Sequence, residues 1–197
     1  MTHADPLRSI LLTPEEAGAM DAHGRTEAAV LVPMFGHPDR PGLVFTERRA
    51  DLRRHAGEIS FPGGRRDDAS EGLLETALRE AEEEIGLDRA QVDVVGALPP
   101  IGTFVTSYKV HPFVGLIGDE LRFEPNPAEV ETVLAFDLDE LRRGFAMRRL
   151  VRRGVPIRTP TYQVGEHMIW GATARILGDL LGRLDRSPVA DQPSKRP

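Results

Sequence analysis

The apolar positions change period several times along the chain, and each change marks an element. From Glu27 they run almost unbroken as AAVLVPMF, pass through Gly36, His37, Pro38, Asp39, Arg40, Pro41 and Gly42, and resume as LVFTERR. Such runs bounded by glycine and proline predict two paired strands. In EISFPGGRRDDAS the proline and paired glycines break any regular element. Helical spacing takes over from about Glu71 to Ile85, with Ser70 as N-cap and Gly86 as the stop. Strand character returns in QVDVVGAL, and further β segments are predicted over 103–117, 121–124 and 130–136. Asp137 to Gly144 (DLDELRRG) reads as a short capped helix and TYQVGEHMIW as a hairpin about Gly165. In the last helix, WGATARILGDLLGRL, Ile176, Leu177, Leu180, Leu181 and Leu184 form one buried stripe. Near the start, Thr13 before Pro14, Glu15 and Glu16 predicts a short peripheral helix opened by a capping box. The class is α/β, with a β-rich middle flanked by helices.

The chain has 197 residues, read as one domain over 1–186 and a polar, proline-bearing tail over 187–197 that is expected to be disordered. Its hydrophobic residues make up 40%, enough for a core at this length. Without cysteine there is no disulfide framework, thiolate metal site or cysteine nucleophile, which leaves carboxylates and histidines for metal work. The 31 acids against 25 bases give a net charge of −6, which weighs against a nucleic-acid partner. The longest apolar run, Ala28 to Phe35, contains Pro33 and falls far short of the roughly 20 residues that span a bilayer, so no membrane segment is expected. The opening MTHADPLRSILLT has neither the basic start nor the apolar stretch of a secretory signal, and the cytoplasm is the expected location.

Charge on the helix before Gly86 breaks the rules of helix stability. With Glu80 set at zero and about 100° per residue, Glu83 falls near −60° and Glu84 near +40°, while Leu74, Leu78, Ala81 and Ile85 cluster between about +100° and +160°. Three carboxylates share one face and the core lies on another. Like charges three and four apart repel, and Glu82, Glu83 and Glu84 also face the negative end of the helix dipole. A hard divalent cation, which takes oxygen ligands, would relieve the conflict.

FPGG at 61–64 stands directly before this helix, and the combined stretch FPGGRRDDASEGLLETALREAEEEIGL resembles the box of the Nudix hydrolases. Glu71, Arg79, Glu80, Ala81, Glu83, Glu84, Gly86 and Leu87 match it in register, although six residues, against the family's five, separate Gly64 from Glu71. The resemblance implies an α/β/α sandwich with a mixed sheet. It also implies that Glu80, Glu83 and Glu84 hold Mg²⁺ or Mn²⁺, with the Gly63 carbonyl as a further ligand and Arg79 orienting a carboxylate. Water would be the nucleophile, with Glu80 as first candidate for the base and Glu129, in PNPAEVE, as the second.

A second motif lies upstream. VFTERRADLRRHAGEISFPGG, residues 44–64, resembles the signature of coenzyme A pyrophosphatases within that family through Thr46, Arg48, Arg53, Gly57 and Phe61 to Gly64, with Arg49 where the signature has serine. It implies a small-molecule diphosphate substrate, coenzyme A or acyl-coenzyme A, cut to 3′,5′-ADP and (acyl-)4′-phosphopantetheine. Hydrolysis of ADP-ribose or another nucleoside diphosphate derivative is the alternative, and a non-catalytic nucleotide-sensing module is another of a different class. Arg48, Arg49 and Arg53 are the candidate contacts to substrate, with Gly64 leaving room for a phosphate. Arg148, Arg149, Arg152 and Arg153 are taken as surface, and Trp170 as core.

Overall fold

The computed structural model describes residues 4–36, 40–51, 57–103, 107–119, 122–152 and 154–186. Helices α1 (Ala4–Arg8) and α2 (Pro14–Ala19) precede β1 (Thr26–Phe35), β2 (Gly42–Arg48), β3 (Ile59–Ser60) and β4 (Gly63–Arg65). Helix α3 (Leu73–Ile85) leads to β5 (Asp93–Ala97), β6 (Ile101–Gly102), β7 (Tyr108–Leu116) and β8 (Val130–Asp137). Then come α4 (Leu138–Arg143), β9 (Phe145–Arg152), β10 (Val155–Val164), β11 (His167–Trp170) and α5 (Gly171–Asp185).

One sheet runs β3-β2-β1-β7-β5, with β4 on β1, β6 on β7 and β8 on β2. It is mixed because β1 and β7 pair in parallel from Thr26↔Tyr108 to Met34↔Leu116, whereas β1 meets β2 antiparallel. Alternation along β1 sends successive side chains to opposite faces. Ala28, Val32 and Met34 join a core with Ile176, Leu177 and Leu180 of α5, while Ala29 and Leu31 join a second with Ala77, Ala81 and Ile85 of α3. Helices therefore cover both faces, the layered α/β arrangement expected from the sequence. A second, antiparallel sheet of order β11-β10-β9 packs against α5.

Several expectations need correction. FPGG does not abolish regular structure; β3 ends just before it, and β4, which takes in Gly63 and Gly64, lies antiparallel on β1. Residues 122–124 form no strand, because the chain there bonds to the end of α3, with Glu124 N–H donating to the Ile85 carbonyl and Asn126 N–H to that of Glu84. The cap of α3 is Gly72, not Ser70, whose N–H and hydroxyl are taken by Asp68. Strand β9 went unread because its arginines resemble a solvated cluster; pairing with β10, from Phe145↔Tyr162 to Arg152↔Val155, makes it a strand. The capping box at Thr13 stands as expected, with Glu16 N–H to Thr13 Oγ1 at 3.1 Å and Thr13 N–H to Glu16 Oε2 at 2.8 Å. The tail over 187–197 lies outside the described residues. Among the described residues no helix is long and apolar enough to cross a membrane.

Candidate active site

Helix α3 lies close on β1 because the residues it presents are small: Ala77 and Ala81 are fully buried. Their direction, about +60° to +100° from Glu80, sets the helix roll. That roll leaves Leu74 and Leu78 only partly covered and carries Glu84 inward to 5% exposure, while the Glu83 side chain stays 57% exposed. The three glutamates, which the spacing sets on one face, thus occupy different depths.

Their charge is compensated from several sides. Arg79 donates from Nε to Glu71 Oε1 at 2.8 Å, and from Nη1 to Glu80 Oε1 at 2.8 Å and Glu83 Oε2 at 3.1 Å. Its Nη2 reaches the Arg65 carbonyl at 3.3 Å, tying the helix to β4. The Arg79 hydrogen bond holds the Glu71 carboxyl at about 2, and Arg79 itself is driven further above its usual range, chiefly by Glu71. Glu82, the outward acid of the run, pairs with Arg89 at 2.8 Å.

Glu84 has weaker compensation. Its Oε2 accepts the Gly63 N–H at 3.1 Å and its Oε1 stands 3.5 Å from Arg48 Nη1. Burial pushes its carboxyl up to about 7 against the pull of those two partners, and Glu80 and Glu129 add repulsion. Burial likewise raises Glu80, countered first by the Arg79 hydrogen bond. Arg48 also reaches Glu129 Oε2 at 3.4 Å, so one guanidinium lies between a helical acid and a loop acid that are 45 residues apart in sequence.

The paired glycines serve different ends. A Cβ on Gly63 would stand 2.3 Å from the Ala29 carbonyl oxygen and 2.6 Å from Val30 Cα, so this residue lets β4 close on β1. A Cβ on Gly64 would stand 2.4 Å from the Glu80 carboxylate, so this residue leaves room at the acid.

These groups open onto a cleft of about 1040 Å³. Glu80, Glu84, Glu129, Arg48, Gly63 and Gly64, all singled out in the sequence, line it. Arg79 and Glu83 do not; Arg79 links Glu83 to Glu80. Arg49, expected to touch substrate, also lies outside the lining. Its guanidinium is engaged by Asp51 at 2.8–2.9 Å and by the Pro127 carbonyl, and its N–H donates to the Glu129 carbonyl at 3.1 Å, so it secures the loop that carries Glu129. Arg53 lies outside the described residues. Trp170 is partly exposed at the cleft wall and not in the core, since the residue after it starts α5 at the rim. Arg158 of β10 and Thr173 and Arg175 of α5 also line the cleft, and the sequence did not single them out. One signal was available: the final helix follows Trp-Gly and lacks a side-chain cap.

Among the described residues no three carboxylate or imidazole groups already converge as a formed metal site; arginines hold the acids instead. The donor set nevertheless fits a hard cation. The buried Glu84 and the partly buried Glu80, both with upward-shifted pKa values, face one cleft together with Glu129 and Gly63, and Gly64 keeps space free at Glu80. A divalent ion there would replace the guanidiniums as the balancing charge.

A NUDIX domain profile matches residues 25–154. The protein called "Uncharacterized Nudix hydrolase NudL" from Pectobacterium atrosepticum is 39% identical over 171 residues, covering 84% of this chain and 86% of that protein. Its namesake from Cronobacter sakazakii is 40% identical over 164 residues, covering 82% and 84%. Among solved structures, the NUDIX domain of Shewanella oneidensis NrtR complexed with ADP ribose aligns with a TM-score of 0.56 at 15% identity, over 93% of this chain and 99% of that one. A MutT/nudix family protein from Enterococcus faecalis aligns with a TM-score of 0.55 at 14% identity, over 81% and 61%. At such identities these two alignments speak to the fold.

Proposed function

Because this chain belongs to the Nudix hydrolase family, whose members act on diphosphates linked to a nucleoside, we propose that it hydrolyses the diphosphate of coenzyme A or acyl-coenzyme A. Water adds to one phosphorus, the bridging P–O bond breaks, and the products are 3′,5′-ADP and 4′-phosphopantetheine or its acyl form. Glu80, Glu83 and Glu84, with the Gly63 carbonyl, would hold Mg²⁺ or Mn²⁺. The bound ion supplies neutralisation of the diphosphate oxygens and acidification of water.

The remaining roles belong to side chains. Glu80 takes the proton of the attacking water, with burial raising its affinity for that proton; Glu129, joined to Glu84 through Arg48, is the second candidate. Arg79 acts behind Glu80 and orients it, never touching substrate. Arg48, between Glu84 and Glu129, presents positive charge to the phosphates. Arg53 is proposed as a further contact from the same motif.

The observation that carries the proposal is the cleft: at about 1040 Å³ it sits at the upper end of ligand sites, and it joins the acidic cluster to partly apolar walls suited to a long pantetheine arm. The test is product identification by mass spectrometry across coenzyme A, acetyl-coenzyme A, dephospho-coenzyme A and ADP-ribose, with Mg²⁺ or Mn²⁺ and after chelation. Release of 3′,5′-ADP that stops with chelator is expected. Faster turnover of ADP-ribose than of coenzyme A would refute the substrate assignment.

A further inference from the structure

The two walls of the cleft carry opposite charge. All of its lining carboxylates, Glu58, Asp67, Glu80, Glu84 and Glu129, come from the wall built before residue 130. The wall built from β10, β11 and α5 contributes Arg158 and Arg175 and no acid. A site for cations alone has no use for the second wall.

At its centre is the start of α5, a 15-residue helix without a side-chain cap, whose first N–H groups have no partner within the helix. Gly171, at φ 70°, turns the chain from β11 into the helix, and a Cβ there would meet nothing within 4 Å, so the cleft is open at that point. Thr173, in the first turn, is only 8% exposed and lines the cleft, and among the described residues its hydroxyl has no hydrogen-bond partner. Among the described residues the one fully buried side-chain polar atom without a partner is His111 Nε2, so the Thr173 hydroxyl still opens to the cleft, where an anionic oxygen supplies its acceptor. Arg175 donates from Nη1 to the Gly102 carbonyl at 2.9 Å, which steadies the guanidinium at the cleft and leaves the rest of the fork for a ligand.

We propose that the first turn of α5, with the Thr173 hydroxyl and the Arg175 guanidinium, is a subsite for a phosphate group of the substrate other than the diphosphate that is cut. Resting on the coenzyme A reading, it assigns this wall to the 3′-phosphate, a group that ADP-ribose and dephospho-coenzyme A lack. The 3′-phosphate is thereby recognised from the face opposite the acids, by a wall on which no carboxylate repels it.

The test uses binding as well as turnover. Calorimetry on the metal-free protein with 3′,5′-ADP and with 5′-AMP is expected to show tighter binding of 3′,5′-ADP. Thr173→Val and Arg175→Ala should each weaken it by about tenfold while leaving 5′-AMP unchanged. In parallel, kcat/KM for coenzyme A should fall in both variants, and that for dephospho-coenzyme A should hold. If the wild type prefers coenzyme A and neither variant alters the preference, the subsite is overturned and the substrate reading stands. If coenzyme A is not hydrolysed but the preference for 3′,5′-ADP is present and lost in the variants, the subsite stands and the substrate reading falls. Equal binding of the two nucleotides by the wild type overturns the subsite.

Discussion

Arg79 Nε and Glu71 Oε1 meet at 2.8 Å across the start of α3, although the loop before Glu71 is one residue longer than the family's spacing. The loop absorbs the extra residue in its own turn. Glu71 N–H donates to the Asp68 carbonyl at 3.1 Å, and Asp67 N–H returns to Glu71 Oε2 at 3.3 Å. Glu71 is thereby set to hold Arg79, and Arg79 to hold Glu80.

Arg79→Lys keeps the charge but loses the planar fork that reaches Glu71, Glu80 and Glu83 together. Turnover should fall by about tenfold or more, with about 1–3 kcal/mol lost from stability. Steady-state kinetics and urea unfolding measure the two; unchanged kcat would show that Glu80 needs no orienting partner.

The neighbouring glycines should answer differently to the same change. Gly63→Ala drives a methyl into the backbone of β1 and should leave little folded protein. Gly64→Ala meets first the end of the Glu80 side chain, which can swing aside, so the fold should persist while turnover drops. Circular dichroism melts beside activity assays separate the two outcomes.

Glu84 and Glu71 shift in opposite directions, and so do their effects on stability with pH. The Glu84 carboxyl rises from 4.5 to about 7 on folding, so its penalty is absent below 4.5, grows as pH rises and is complete above about 7. In the presence of chelator, Glu84→Gln should stabilise the protein by about 1–3 kcal/mol at pH 8 and not at pH 4; with Mg²⁺ or Mn²⁺ supplied, the same variant should lose most turnover. Glu71 is lowered to about 2, so its contribution is present above 4.5 and lost as pH falls toward 2; Glu71→Gln should flatten that acid limb of the unfolding curve. Chemical denaturation across pH reads both slopes.

The two candidate bases are separable by magnitude. Glu80→Gln should lower kcat by about 10²–10⁴-fold, the range of general base catalysis, whereas Glu129→Gln should cost about tenfold through loss of its Arg48 partner. The reverse order, in single-turnover measurements, would move the base to Glu129.

Much of this protein was legible in its residues alone. Spacing placed α3, the capped helix at Thr13, the hairpin at Gly165 and the apolar stripe of α5, because periodicity and caps are local properties. The four-residue step from Arg79 to Glu83 likewise makes an ion pair feasible, and one stands there at 3.1 Å. What tertiary packing alone decided is the roll of α3. Spacing put the helix's core among Leu74, Leu78, Ala81 and Ile85; Ala81 and Ile85 are fully buried as expected, but close approach to β1 takes in the small Ala77 and leaves Leu74 and Leu78 partly covered, a roll that buries Glu84 and leaves Glu83 outside. Packing alone also drew Glu129 to Arg48, turned Arg49 to the Pro127 carbonyl, and set Thr173 and Arg175 across from the acids. Periodicity along a chain reports which residues share a face; which face meets which partner depends on side-chain volume and on segments remote in sequence.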